Sequence, residues 1–512
     1  MFFSFKGTSK TNELILNMGA AFIGFIVSAA ISFFIVPIAR ERVGEGAYGF
    51  LSLANNFVQY ANILTIALNS MASRFITIKV CTGDYKRANE YYNSVIIANI
   101  FIAVCLLIPS IYIVCSVDKL FNVSAELVSD VRLLFGFIFG NFILTIITSV
   151  FSCATYIRNK LCLSSLVTIV TTLLRGVLIF TVYSFLPAHI FYMGIIPLIM
   201  TVISAAANFR FTRQLVPELE ISRKYFDIGA VKELVSSGIW NSILKMGQVL
   251  LDGLDVLIAN LFIGAAAMDT LSFAETIPGM ISSAMSTLSG VFAPSFNISY
   301  AKGQFDVLLK DIRQSIKIMS MIMNIPIAAL TVFGYYFFKL WLPSEDPMVL
   351  QIISVLVVVK FVISGGVNCL SNVLTVTNKV KANAIAVLVS GALSICFTFV
   401  MLKITDAGIY VIAAGSTIFS IVRNLFFLMP YSAKCLNLKW NVFYFDVGKA
   451  VLSYAVMVIV GAIIVPHLML DSWLKLGFWA VLYCIVCLII GWFVILNKDD
   501  KNLILQQIRR KR

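Results

Sequence analysis

Across 512 residues the chain is 60% hydrophobic and only 12% charged, with a mean hydropathy of +0.94. A soluble domain averages about 25% charged residues, so this composition excludes a soluble globular protein and indicates a polytopic membrane protein. The net charge of +14 raises nucleic acid as a partner, but the distribution of the charges described below argues against it. Continuous apolar runs without period-two alternation exclude a transmembrane β-barrel.

Met1–Asn12 is mostly polar and carries Lys6 and Lys10. The apolar run after it is too long for the h-region of a cleavable signal, so the first helix is expected to stay in the membrane. Hydropathy predicts about fourteen helical spans, near 14–38, 48–75, 92–116, 127–152, 161–185, 189–210, 236–263, 270–297, 314–338, 348–377, 382–403, 407–429, 446–466 and 474–496. The expected fold is therefore an all-α bundle with an N-terminal lobe over 1–210, a connector at 211–235, a second lobe over 236–429, and two further helices with a basic tail over 430–512.

Three spans carry polar stripes at helical spacing. The second has Asn55, Gln59, Asn62, Thr65, Asn69 and Ser73. The seventh has Asn241, Lys245, Gln248, Asp252 and Asp255, and the tenth has Lys360, Ser364, Asn368, Asn372 and Thr375, with Gly365 and Gly366 expected to loosen that helix locally. Polar stripes in lipid must face other helices or water, and simple interhelical hydrogen bonding is the competing account. Between the sixth and seventh spans, Arg210–Ser237 is read as a solvated, charged connector with a short surface helix around Val231–Val235.

Five cations lie inside the predicted spans: Arg74, Arg175, Lys245, Lys360 and Arg423. Each would cost roughly 2.5–3.5 kcal/mol at a bilayer centre on insertion scales. Arg74 and Arg423 stand close to helix ends, where snorkelling accounts for them. Arg175 and Lys360 are deep, and the spans of the first half hold no carboxylate except near their ends. That bias suits an anionic ligand, with Lys245 a third contact and Asn62, Gln59 and Gln248 polar neighbours. Asp252, Asp255 and Glu275 are candidates for ion coupling or for pairing with Lys360 or Lys245.

Numbering the loops alternately puts 27 of the 39 lysines and arginines on the side of the N-terminus and 7 on the other, with five embedded. The positive-inside rule then places both termini in the cytoplasm, and the surplus reads as topology and attraction to anionic lipid. The ten cysteines fall in spans or on that same side and imply no disulfide framework. Cys484 and Cys487 form a CxxC on an apolar helix without a second ligand pair, so no metal and no cofactor is expected. No nucleophile–base motif appears, and no loop is long enough to carry a catalytic domain, so the chain is not expected to be an enzyme.

Offset by 220 residues, the sequence matches itself weakly: Gly44 with Gly264, Leu51-Ser52 with Leu271-Ser272, Gly83 with Gly303. This suggests two parallel repeats, for which substrate sites lie near mid-membrane. Arg42-Val43-Gly44, Tyr48-Gly49, Gly83-Asp84, Ala88-Asn89, Leu254-Asp255 and Phe262-Ile263-Gly264 together resemble the polysaccharide-exporter branch of the MOP flippase superfamily, similar to Wzx-type O-antigen flippases. The resemblance implies a MATE-like bundle of two six-helix lobes plus two helices in a bacterial plasma membrane. It also implies movement of an undecaprenyl-pyrophosphate-linked oligosaccharide, with membrane lipids and polysaccharide assembly proteins as partners and no nucleic acid. The alternatives are a MATE-like multidrug or cation antiporter, which needs embedded carboxylates, and a membrane glycan polymerase, which needs a sizeable charged outside loop.

Overall fold

The computed structural model describes residues 10–501 apart from 44–46, 159, 291, 378 and 498–499. Gly44 and the basic run Arg509–Arg512 therefore lie outside the described residues, as does Met1–Ser9. The described residues form helices joined by turns and irregular segments, with no strand among them. Fourteen principal helices follow in order: α1 Lys10–Val43, α2 Tyr48–Cys81, α3 Tyr85–Cys115, α4 Val128–Thr148, α5 Leu161–Phe185, α6 Tyr192–Leu215, α7 Ile228–Gln248, α8 Ala265–Gly290, α9 Phe305–Trp341, α10 Pro347–Val367, α11 Val380–Ile404, α12 Ile409–Arg423, α13 Tyr444–Ile464 and α14 Trp473–Val494.

Eleven helical segments among the described residues are long and apolar enough to cross a membrane. Expected spans 14–38, 236–263 and 270–297 are also helical but are not among the eleven. For the seventh span the reason is its polar stripe, which dilutes the hydropathy of that helix. Residue chemistry sets several helix starts. Gly83 adopts φ +77° between α2 and α3, a conformation that glycine takes at no steric cost, and Asp84 then caps α3 by accepting from the Arg87 backbone N–H. Before α10, Asp346 accepts from the backbone N–H groups of Met348 and Val349 while Pro347 occupies the first turn.

The chain forms two compact units, residues 1–246 with 260–269, and residues 247–259 with 270–512. In the first unit, Tyr91, Tyr92 and Val95 of α3 pack with Leu68, Ala72 and Ile76 of α2 and with Val216, Leu219, Ala230 and Leu234. The connector is exposed along much of its length and Val231–Val235 is helical, but the segment is also docked on the first unit. Val231–Val235 forms part of α7 itself, and residues 218–227 are bonded to α3. Asn89 donates to the Glu218 carbonyl and accepts from Glu220 N–H, both at 2.8 Å. One turn on, Asn93 donates to the Glu220 carbonyl and accepts from Ser222 N–H, again at 2.8 Å. Two buried amides therefore serve the connector as a neighbouring strand would, satisfying backbone groups in a segment with no secondary structure of its own.

An ionic clasp closes this dock. Arg87 donates to Asp227 at 2.6 Å, to Glu90 at 2.7 Å and to Glu233 at 3.2 Å, and Tyr91 donates to Glu233 at 2.6 Å. The Arg87 guanidinium, with backbone donors from Gly229 and Ala230, holds the Asp227 carboxyl below the usual carboxylate range. A carboxyl with a lowered folded pKa stabilises at pH above its ordinary value, about 3.9, and the contribution disappears as pH falls through the lowered value. Limited proteolysis between residues 217 and 227 should accordingly be slow at pH 7 and accelerate below about pH 4. Arg87→Ala should be cut quickly at both; equal rates for the variant and the parent at pH 7 would refute the clasp.

In the second unit α13 and α14 pack on α9 through Ala328, Phe333, Met457, Tyr483 and Cys487. Asn324 of α9 donates to the Ala450 carbonyl at 2.8 Å, and Tyr483 to the Met457 carbonyl at 2.7 Å. Arg313 contacts the fully buried Asp446 at 2.7 Å, and Lys317 reaches Asp500 at 2.8 Å and Asp446 at 4.0 Å. Gly365 and Gly366 do not loosen α10, which is helical through both. A Cβ on Gly366 would meet Ser320 Oγ and the Ile316 carbonyl, and one on Gly365 would meet Met323. They are close-approach residues that bring α10 against α9.

Candidate functional site

Within the second unit, the polar residues converge around two π-helical turns. One is Val249–Gly253, after α7, and the other is Asn424–Leu428, after α12. A π turn inserts one residue, which rotates the downstream face by about 100° and frees backbone groups, and such turns concentrate at functional sites. The seventh-span stripe is consequently not one continuous helical face: Lys245 and Gln248 precede the turn, Asp252 lies in it and Asp255 follows it.

Lys360 is 5% exposed, and its Nζ lies 2.5 Å from Asp252 Oδ1 and 3.4 Å from Ser416 Oγ. Asp252 is itself about half exposed. One turn along α10, Ser364 accepts from Asn424 Nδ2 at 2.8 Å, and Asn424 Oδ1 accepts from Arg423 Nη2 at 2.8 Å. Arg423 lies within electrostatic reach of Asp252, while its Nε is buried and has no hydrogen-bond partner among the described residues. Asp255 is buried within reach of Glu275, Asp252 and Lys360. Two cations and three carboxylates thus share this part of the second unit, with serine and asparagine side chains between them.

The rest of the tenth-span stripe serves packing, since Asn368 and Asn372 both donate to Ser289. The second-span stripe, in the first unit, divides similarly. Asn69 and Asn99 exchange hydrogen bonds at 3.0 and 3.1 Å and add Ser149, tying α2 to α3 and α4. Asn62 is half-buried beside Thr65, whereas Gln59 is exposed. On α7, Asn241 donates to Ser70 and Ser242 to the Ile63 carbonyl, which anchors this helix on α2. Arg175, on α5, has a buried Nε with no hydrogen-bond partner among the described residues. Lys245 is half-buried, Gln248 is exposed, and Arg74 is exposed.

Arg423 and Asn424 are the residues that sequence reasoning missed. Proximity to a helix end suggested a snorkelling arginine, yet Arg423 is half-buried and its neighbour belongs to the Ser364 network. A signal was present: Ser416, Ser420 and Asn424 recur every four residues, and Ser416 and Ser420 are buried. No group of three or more His, Cys, Asp or Glu residues suited to a metal ion occurs among the described residues. All ten cysteines are free thiols.

Residues 14–299 match the family described as polysaccharide biosynthesis protein, which is more than half of the chain. The chain belongs to this family. It is a multi-pass membrane protein with a transporter-like helical fold. It is 25% identical over 501 residues, covering 97% of this chain and 98% of the relative, to the uncharacterized membrane protein EpsK of Bacillus subtilis strain 168. Among solved structures it resembles lipid II flippase MurJ in an inward closed conformation, at 15% identity and a TM-score of 0.65, covering 93% of this chain and 98% of that one. An inward-facing multidrug resistance MATE family transporter gives the same TM-score at 13% identity, over 83% of this chain and 98% of the other.

Proposed function

We propose that the protein is a flippase that carries an undecaprenyl-pyrophosphate-linked oligosaccharide across a bacterial plasma membrane by alternating access, for surface polysaccharide assembly. The observation that carries this reading is a buried Lys360 that shares Asp252 with Arg423, whose Nε has no hydrogen-bond partner among the described residues, in a member of a polysaccharide biosynthesis family. Lys360 bonds one carboxylate, Asp252, and Arg423 bonds none among the described residues, so donor capacity on both cations is left for a ligand although Asp255 and Glu275 share the cluster. A pyrophosphate brings several acceptor oxygens, which Arg can hold in pairs while Lys provides a mobile point charge. One unit pair at about 5 Å gains about 3 kcal/mol at an effective dielectric near 20, so two contacts offset much of the headgroup dehydration.

Arg175, Lys245, Asn62, Gln59 and Gln248 are further proposed substrate-binding residues, and the proposed lobes span 1–210 and 236–429. The segment 211–235 joins those lobes, and 430–512 adds two helices. Both termini face the cytoplasm, the side that receives the lysine-rich loops, and the protein performs no covalent chemistry. Partners are the lipid-linked glycan, bilayer lipids and the proteins of polysaccharide assembly.

A second reading, a cation antiporter, draws on Asp252, Asp255 and Glu275, which together suit ion coupling. Flipping of a pyrophosphate-linked glycan in proteoliposomes, with a cationic drug as competitor, separates the two. Glycan movement that the drug does not inhibit is expected. Drug transport without glycan movement would replace the first reading by the second. Arg175→Ala should lower glycan flipping at least tenfold, roughly the effect of losing one desolvated charged hydrogen bond, with normal insertion in the membrane.

A further inference from the structure

After the second π turn, the twelfth span continues as Met429–Cys435 and reaches Trp440. A groove of about 480 Å³ opens there, lined by Phe426, Phe427, Tyr431, Lys434, Leu438 and Trp440 among others. Its volume falls in the range of small-molecule sites. Phe427 and Tyr431 stack with ring centroids 5.0 Å apart, and Trp440 packs edge-on to Tyr444 at 5.5 Å. Tyr444 in turn donates to the Leu425 carbonyl, a backbone acceptor within the π turn. That bond ties the groove-lining turn to α13, so the groove is framed by fixed elements of the second unit.

Two features of the groove point to its occupant. Phe426 is 76% exposed and Trp440 65% exposed, large apolar surface offered outward at a helix end where aromatic rings meet lipid headgroups. Charge is the second. Between Asp406 and Asp446 the sequence contains no carboxylate, while Arg423, Lys434 and Lys439 all lie in that interval. Lys379 and Lys434 both act electrostatically on Cys435, so a further lysine stands close to this end of the helix. An apolar trough with an ammonium group in its lining and no carboxylate in its own segment is complementary to an amphiphile with an anionic head.

We propose that this groove binds an anionic phospholipid of the surrounding leaflet, with its phosphate at Lys434 and acyl chain along Phe426, Phe427 and Leu438. A zwitterionic lipid shares the phosphate, but its own cation cancels the attraction of the lysines. The net anionic head is therefore the preferred one. Neither Lys360 nor Arg423 lines this groove, and the proposal does not depend on the identity of any transported substrate.

Trp440 reports on the groove directly. The full-length protein is placed in vesicles containing a small fraction of lipid brominated on its acyl chains, and the Trp440 signal is taken as the difference between the parent and Trp440→Phe. Brominated phosphatidylglycerol should quench Trp440 at a roughly fivefold lower mole fraction than brominated phosphatidylcholine, the preference one lysine near a membrane surface supplies. Lys434→Gln, a change at an exposed side chain, should remove that preference, and Lys434→Arg should keep it. Equal quenching by the two lipids, quenching by neither, or a preference that survives in Lys434→Gln would overturn the proposal. So would relief of the quenching by inorganic phosphate at the same concentration as the lipid, which would mark a site for free anions.

Discussion

Replacing Lys360 by alanine should slow glycan flipping by roughly 10²-fold, the equivalent of one lost charge pair of about 3 kcal/mol, while protein levels in the membrane stay near normal. The stability half of this expectation follows from an asymmetry in exposure. Asp252 is about half exposed, so removing Lys360 leaves a carboxylate that water can solvate, whereas removing Asp252 leaves an ammonium that is 6% exposed without the carboxylate it bonds. Breaking a buried pair from the side that strands a buried charge costs about 3–5 kcal/mol. Asp252→Ala should therefore melt earlier than Lys360→Ala in a detergent thermal-shift measurement. Asp252→Asn, which retains a polar acceptor, tests what Asp252 does in transport. If a headgroup displaces Asp252 from Lys360, the substitution removes a competitor and the substrate concentration for half-maximal flipping falls. Should Asp252 carry a coupling ion, flipping stops at every substrate concentration. Wild-type rates in Lys360→Ala would dispose of the cation site altogether.

Asp446→Ala is expected to produce the largest loss of stability, about 3–5 kcal/mol. Asp446 is fully buried, accepts from Arg313 at 2.7 Å and lies 4.0 Å from Lys317, which is only 6% exposed. Its removal strands positive charge between α9 and α13, and Asp500 remains to compensate only Lys317. The transition should move down by many degrees in thermal unfolding in detergent, and α13 and α14 should become accessible to protease first. Asp446→Asn should fall between the parent and the alanine variant, because the amide still accepts from Arg313 but carries no charge. Unchanged melting in Asp446→Ala would show that solvent reaches the cluster and that the pairs contribute little.

Much of the fold is legible from periodicity and composition. Apolar runs of about 20 residues have one solution in a bilayer, and the expected spans fall on helices among the described residues, eleven helical segments being long and apolar enough to cross. Boundaries moved mainly at the lysine-rich ends, where α2, α3 and α9 extend by one to several turns beyond the apolar run. Hydropathy ends where charges begin, but a helix continues until a cap stops it, as Gly83 and Asp84 do between α2 and α3. Roles along the polar stripes were harder to read. Asn69 and Asn372 share helical faces with Asn62 and Lys360, and only their partners, Asn99 and Ser289, assign them to packing. The docking of the connector was hidden for a related reason. Its charges suggested solvent, while the amides that hold it, Asn89 and Asn93, lie some 130 residues earlier in the chain.

By itself the sequence determined that this is a helical membrane protein, and that cations stand within otherwise apolar helical stretches. Those properties follow from local transfer energies, which each residue carries wherever the chain goes. Which acid meets which cation was decided only by tertiary structure. The π turns at Val249–Gly253 and Asn424–Leu428 change the facing of every residue after them, and no periodicity reveals such an insertion. Packing alone brought Asp252 to Lys360 across 108 residues and joined Arg423, through Asn424, to Ser364.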